Sequence, residues 1–128
     1  MRSVSPPESK HALDLEGLRN SGVSFWIVWD DKEVAGCGAL KELGPDHGEL
    51  KSMRTSTRHR RSGVASILMH HIIETSRSRG YKRLSLETGS MPFFEPARRL
   101  YQKFGFVICG PFAGYRLDPN SVFMSRPL

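Results

Sequence analysis

The sequence predicts a mixed α/β domain, and three observations predict it. Short apolar runs of strand length are interspersed with two longer stretches whose apolar residues recur at three- and four-residue spacing. Glycines stand where both helical stretches should end, at Gly80 and Gly105. The resulting order (hairpin, strand, helix, strand, helix, strand, strand) sets helices between strands, so that they cover one or both faces of a sheet.

Each element has its own justification. Met1–Lys10 is polar and carries Pro6 and Pro7, which predicts a loop. Ala12, Leu15 and Leu18 lie at helical spacing and predict a short helix over His11–Leu18. SFWIVW (Ser24–Trp29) is a buried-strand run, Asp30-Asp31-Lys32 a turn, and EVAGCGALK (Glu33–Lys41) the returning strand of a hairpin. Gly36 and Gly38 in that strand permit a bulge or a close neighbour. Leu43–His47 predicts a loop and Gly48–Thr55 a strand anchored by Leu50 and Met53. In Ser62–Arg79 the residues Val64, Leu68 and Ile72 share a helical face with Ala65, Met69 and Ile73 beside it. Arg83–Thr88 is a strand. Glu95-Pro96 opens a second helix, striped by Ala97, Leu100, Tyr101 and Phe104. Phe106–Cys109 and Ser121–Ser125 are the closing strands.

A chain of 128 residues suits one domain with a proper core, here 1–128. No apolar run approaches the ~20 residues of a membrane helix. The opening MRSVSPPESK lacks the apolar segment of a signal peptide. Cys37 and Cys109 fit no C-x-x-C pattern, so free thiols in a reducing cytoplasm are expected. The formal net charge of +6 favours an anionic partner without separating nucleic acid from a phosphorylated small molecule.

The segment RHRRSGVASIL, Arg58–Leu68, concentrates that charge. Cations are unfavourable at a helix start, where unsatisfied N–H groups and the dipole attract anions. Arginines there make sense if an anion sits between them and the helix. Gly63 would let a ligand approach the backbone, N–H groups around Arg61–Ala65 would face it, and the guanidinium forks of Arg60 and Arg61 suit phosphate oxygens. A solvated basic surface and a nucleic-acid patch are the alternatives. Against the second, the arginines lie in one loop without the interleaved aromatics that stack bases. No G-K-[ST] follows the glycine and no G-x-G-x-x-G is present, so neither a P-loop nor a dinucleotide fingerprint applies.

Arg60-Arg61-Ser62-Gly63-Val64-Ala65 resembles the R/Q-x-x-G-x-G/A signature of the GNAT superfamily of N-acetyltransferases. ELKSMRTSTRHR before it resembles that family's fourth strand, and PARRLYQKFGF (Pro96–Phe106) its A-x-x-L-Y-x-K-x-G-F segment, at the matching distance. The resemblance runs from about Phe25 to the C-terminus. It is nearest to a small bacterial group carrying SPPES, HALDLE, CGALKEL, LSLETGSM and DPNSVFM, all present here. Some of its members bear a name linked to indole-3-acetate metabolism. The resemblance implies a mostly antiparallel sheet flanked by helices. Family members usually begin with a strand and most of a helix before SPPES, so this chain is expected to lack the family's first strand. That would expose a neighbouring edge or call for a homodimer to cover it.

The resemblance also implies the chemistry: attack of a primary amine, on a small molecule or peptide, on the thioester of acetyl-CoA in a ternary complex without a metal. A non-catalytic acyl-CoA-binding module, or a nucleic-acid-binding one using loop 58–61, is the alternative. Arg60, Arg61, Ser62, Gly63, Val64 and Ala65 would hold the pyrophosphate. Met53, Arg54 and Thr55 match strand positions that pair with the pantetheine arm, and a backbone N–H near Met53 or Arg54 would face the oxyanion. Phe94 stands where many members have asparagine, which puts that cofactor contact in question. Tyr101 matches the family's tyrosine near the sulfur. A phenol of pKa ~10 can protonate a thiolate whose acid has pKa ~8.5, although spacing alone makes Tyr101 a core residue. Glu49 is the candidate base and Glu87 its rival, and an amine that arrives neutral needs no dedicated base. Tyr115, with Asp118 and Asn120, belongs to the acceptor side. Trp26, Trp29 and Phe25 read as core, with one of them able to line the acceptor pocket. His59 takes a place usually aromatic in the family, which implies packing. His70 and His71, consecutive on a helix, face different ways and do not make a metal pair. Nothing near Cys109 in sequence activates a thiolate for acyl transfer.

Overall fold

The computed structural model describes residues 2, 3, 13–20, 22–60 and 63–128. These pack as two compact units: Met1–Lys41 with Lys51–Ile72, and Glu42–Leu50 with Ile73–Leu128. In the first unit the strand order is β1 (Arg2–Ser3), β2 (Leu13–Asn20), β3 (Val23–Asp30), β4 (Glu33–Gly44), β5 (His47–Thr55). β1 pairs antiparallel with β2, β2 with β3, and β3 with β4. β3 buries Ser24, Trp26 and Val28 and leaves Phe25, Ile27 and Trp29 half-buried, the two-residue period of a strand. The first part of helix α1 (Val64–Ser78) buries Val64, Leu68, Met69 and Ile72 on one stripe. The glycines of β4 explain how closely it lies. A Cβ on Gly36 would stand 2.7 Å from Val64 Cγ1 and 2.8 Å from the Arg54 carbonyl oxygen, and one on Gly38 3.2 Å from Ile72 Cδ1. The close neighbour expected at these glycines is therefore α1.

The second unit continues β4 and β5 and adds β6 (Arg83–Gly89), β8 (Ser121–Pro127) and β7 (Val107–Cys109), in the order β4-β5-β6-β8-β7. β6 runs parallel to β5, and β8 is antiparallel to both β6 and β7. Leu84, Leu86, Phe106, Phe123 and Met124 are fully or almost fully buried. Helix α2 (Glu95–Lys103) begins with Pro96 in its first turn and ends at Phe104, and the amide of Gly105 (φ +91°) closes back on the Gln102 carbonyl. α1 stops at Gly80 in the same manner, its amide bonding the Arg77 carbonyl.

Three expectations change. Residues 13–18 are strand, not helix: β2 pairs with β3 over eight residues, and Gly17 lies under Trp26, where a Cβ would stand 2.8 Å from the indole nitrogen. A three-residue apolar spacing fits a helix turn, but a full antiparallel ladder satisfies more backbone groups, and an interior glycine weakens a helix. Of Met1–Lys10, expected as a loop, Arg2–Ser3 form β1; the remainder, with His11 and Ala12, lies outside the described residues. The predicted loop Leu43–His47 shrinks to the turn Pro45-Asp46, because both strands extend into it.

Candidate active site

The basic segment lies in the first unit. After β5 the Ser56 amide bonds the Ala35 carbonyl (2.9 Å), and a 3-10 turn spans Thr57–His59. His59 is buried, held by Ser56 Oγ on Nδ1 (2.5 Å) and Asp30 Oδ2 on Nε2 (2.8 Å). Arg58 is drawn away by a bidentate pair with Glu33, both distances 2.8 Å. Arg60 is exposed; Arg61 and Ser62 lie outside the described residues. Gly63 has φ +85° with nothing within 4 Å of where its Cβ would be. Its carbonyl accepts the first bond of α1, from the Ile67 amide. The first N–H groups of an α-helix have no partner within the helix, and no acidic side chain stands in the first turn of α1. Val64 is core, so it offers a ligand only its backbone; Ala65 is half-buried.

The parallel ladder to β6 covers His47–Leu50, and β5 continues to Thr55 without it. Ser52 sits at φ +55°, the left-handed region uncommon for a residue with a side chain, and its carbonyl faces Cys37 Sγ at 3.6 Å. Met53 and Thr55 are half-buried and Arg54 exposed.

The ionisable candidates lie in the second unit. Glu49 is 2% exposed and accepts a hydrogen bond from the Tyr115 hydroxyl at 2.7 Å. Tyr115 packs against Phe112 and Phe123, with ring centroids 5.4 and 5.8 Å away. Phe112 also meets His47 at 6.0 Å. His47 Nε2 is 2.7 Å from Ser85 Oγ, which is 3.0 Å from Ser125 Oγ, which accepts from Arg83. Burial chiefly, and then the Arg83 charge, lower the His47 pKa against the opposing pull of Asp46 and Glu49. Glu87 is exposed and accepts from Ser121 Oγ at 2.6 Å. Asp118 caps its own loop through the Asn120 amide.

Tyr101 is 7% exposed, edge-on to Phe106, and burial pushes its pKa up to about 12. Among the described residues its hydroxyl has no hydrogen-bond partner, which is uncommon for a buried phenol. Phe94 precedes α2 with its ring over Gly89, where any Cβ would overlap it. Arg98 ties the same corner to the Gly89 carbonyl. Sequence reasoning paired neither Glu49 with Tyr115 nor His47 with Ser85, because the partners lie 66 and 38 positions apart. Phe112, an unremarked aromatic in a loop, was the one available signal.

Among the described residues no three His, Cys, Asp or Glu side chains group to hold a metal, and no helix is long and apolar enough to cross a membrane. Both cysteines are free thiols.

The chain belongs to the acetyltransferase (GNAT) family, whose model matches residues 2–106. Across all 128 residues it is 62% identical to Uncharacterized N-acetyltransferase YsnE of Bacillus subtilis (strain 168), spanning 85% of that protein. A crystal structure of a candidate acyl-CoA N-acyltransferase from Klebsiella pneumoniae shares 31% identity with a TM-score of 0.78, over 87% of this chain and 76% of that one. A Bacillus subtilis acetyltransferase solved with CoA, at 17% identity, shares the fold with a TM-score of 0.73 over 91% of this chain and 99% of its own. The protein is an acetyltransferase.

Proposed function

We propose that this protein, working as one acetyltransferase domain, transfers the acetyl group of acetyl-CoA to a primary amine of a small molecule or peptide by direct attack in a ternary complex. The observation that carries the proposal is the start of α1. Gly63 takes a conformation other residues avoid, in open space, before a helix turn whose N–H groups await an anion. The proposed site there is for a pyrophosphate, with Arg60, Arg61, Ser62, Val64 and Ala65 as its binding residues. Arg58, committed to Glu33, is left out of the clamp. Met53, Arg54 and Thr55, beyond the end of the β6 ladder, offer backbone to the pantetheine amides as an added strand would. Phe94 contributes its ring rather than a polar contact.

In the reaction the amine nitrogen bonds to the thioester carbon and the C–S bond breaks. The amine loses a proton to Glu49, directly or through water, and the departing thiolate takes one from Tyr101. Solvent then restores both groups. The high pKa of Tyr101 keeps it protonated at neutral pH. Glu87 lies on the acceptor side and suits a cationic amine before it deprotonates. The protein is expected to act in the cytoplasm.

Calorimetric titration with acetyl-CoA at low and moderate salt tests the proposal, followed by thiol release with a panel of amines. One-to-one binding that survives moderate salt, with release only when amine is present, supports it. Binding of nucleic acid that weakens steeply with salt, without acetyl-CoA binding, would replace it.

A further inference from the structure

The loop between β7 and β8 is built to deliver one hydroxyl to Glu49. Its backbone turns on Ala113 (φ +50°) and Gly114 (φ +81°), and the Tyr115 amide closes the turn on the Phe112 carbonyl at 2.9 Å. The turn brings Phe112 and Tyr115 edge-to-face, and Phe123 of β8 meets both, 5.8 Å from each. Phe112 reaches His47, which shares a strand face with Glu49 two residues on. With its ring held on these sides, Tyr115 donates to Glu49 Oε2 at 2.7 Å.

We infer that Tyr115 is a positioning residue: its hydroxyl sets the orientation in which the Glu49 carboxylate receives the amine proton. This rests on Glu49 being the base. A buried carboxylate needs hydrogen-bond donors, and a hydrogen bond is directional, so a donor held on a rigid ring constrains how the carboxylate is turned. Proton transfer demands such alignment, because the base must stand within hydrogen-bond reach of the proton it takes. Tyr115, expected on the acceptor side, then governs the acceptor's deprotonation without needing to touch the acceptor.

Tyr115→Phe is the informative variant, since it keeps the three-ring contact and removes only the hydroxyl. Steady-state kinetics of the wild type, Tyr115→Phe, Glu49→Gln and the double variant form a cycle, with thermal melting as the check on folding. Expected is a tenfold or greater fall in kcat for Tyr115→Phe at unchanged KM for acetyl-CoA, and no further loss when it is added to Glu49→Gln. A kcat for Tyr115→Phe within twofold of the wild type, or losses that simply multiply in the double variant, overturns the positioning role while leaving the base in place. Full activity of Glu49→Gln overturns the base itself, and the positioning role with it.

Discussion

Tyr101 combines two properties that ordinary core packing does not require. It is buried deeply enough to push its pKa to about 12, and its hydroxyl meets no partner among the described residues. Leaving a buried donor unmet costs about 1–3 kcal/mol, so a hydroxyl serving packing alone would be better replaced by hydrogen. Tyr101→Phe should therefore leave the melting temperature unchanged or slightly raised. If Tyr101 protonates the thiolate, acetyl-CoA affinity should persist while kcat falls by about 10²–10⁴, the usual worth of a general acid. Calorimetry and thiol release on the same preparation separate the two effects; unchanged kcat would return Tyr101 to the core. His59 shows the opposite case. Both ring nitrogens are occupied, by Ser56 and Asp30, so it braces the turn before the basic segment.

Two elements would carry the proposed site by their ends rather than their middles. β5 serves the sheet through His47–Leu50, where it pairs with β6, and changes character at Ser52. α1 serves the core through Val64, Leu68, Met69 and Ile72, and Gly63 just before it has open space where a Cβ would stand. Gly63 can be tested against its own backbone cost. Alanine and glutamate suffer the same strain at φ +85°, and space is open around the Cβ. Any difference between the two variants thus reports bulk and charge at the proposed phosphate site. Gly63→Glu should abolish acetyl-CoA binding in calorimetry, and Gly63→Ala should weaken it by a smaller factor. Equal affinities for both variants would place the pyrophosphate elsewhere.

The pH response belongs to the molecule as a whole, because each unit holds a histidine that burial shifts downward. His71 lies edge-on to Trp26 at 5.2 Å in the first unit, and His47 sits under Phe112 in the second. Both pKa values fall below the ordinary 6.5, so the folded state prefers neutral rings that the unfolded chain would protonate. The unfolded state then binds more protons, and stability rises with pH through this range. The contribution is complete above about pH 6.5 and is lost as pH falls toward the folded-state values. Urea midpoints measured between pH 7.5 and 5.5 should decline, and the double variant His47→Gln, His71→Gln should flatten that slope. A slope unaffected by the substitutions would assign the decline to other groups.

Local periodicity made most of the fold legible: the Ser24–Lys41 hairpin, the stripe of α1 with its stop at Gly80, and the Pro96-to-Gly105 limits of α2 are properties of neighbouring residues. The glycine before a helix, with arginines beside it, was legible for the same reason. Tertiary structure alone decided three matters. It turned residues 13–20 into a strand, because a ladder with β3 outweighs a weak helical spacing interrupted by Gly17. It withdrew Arg58 from the basic cluster by pairing it with Glu33 across 25 positions. It joined Tyr115 to Glu49 across 66. Spacing along a chain encodes which face a residue shares with its near neighbours; which distant side chain meets it there depends on strand order and on how the loops fold back, which no local pattern contains.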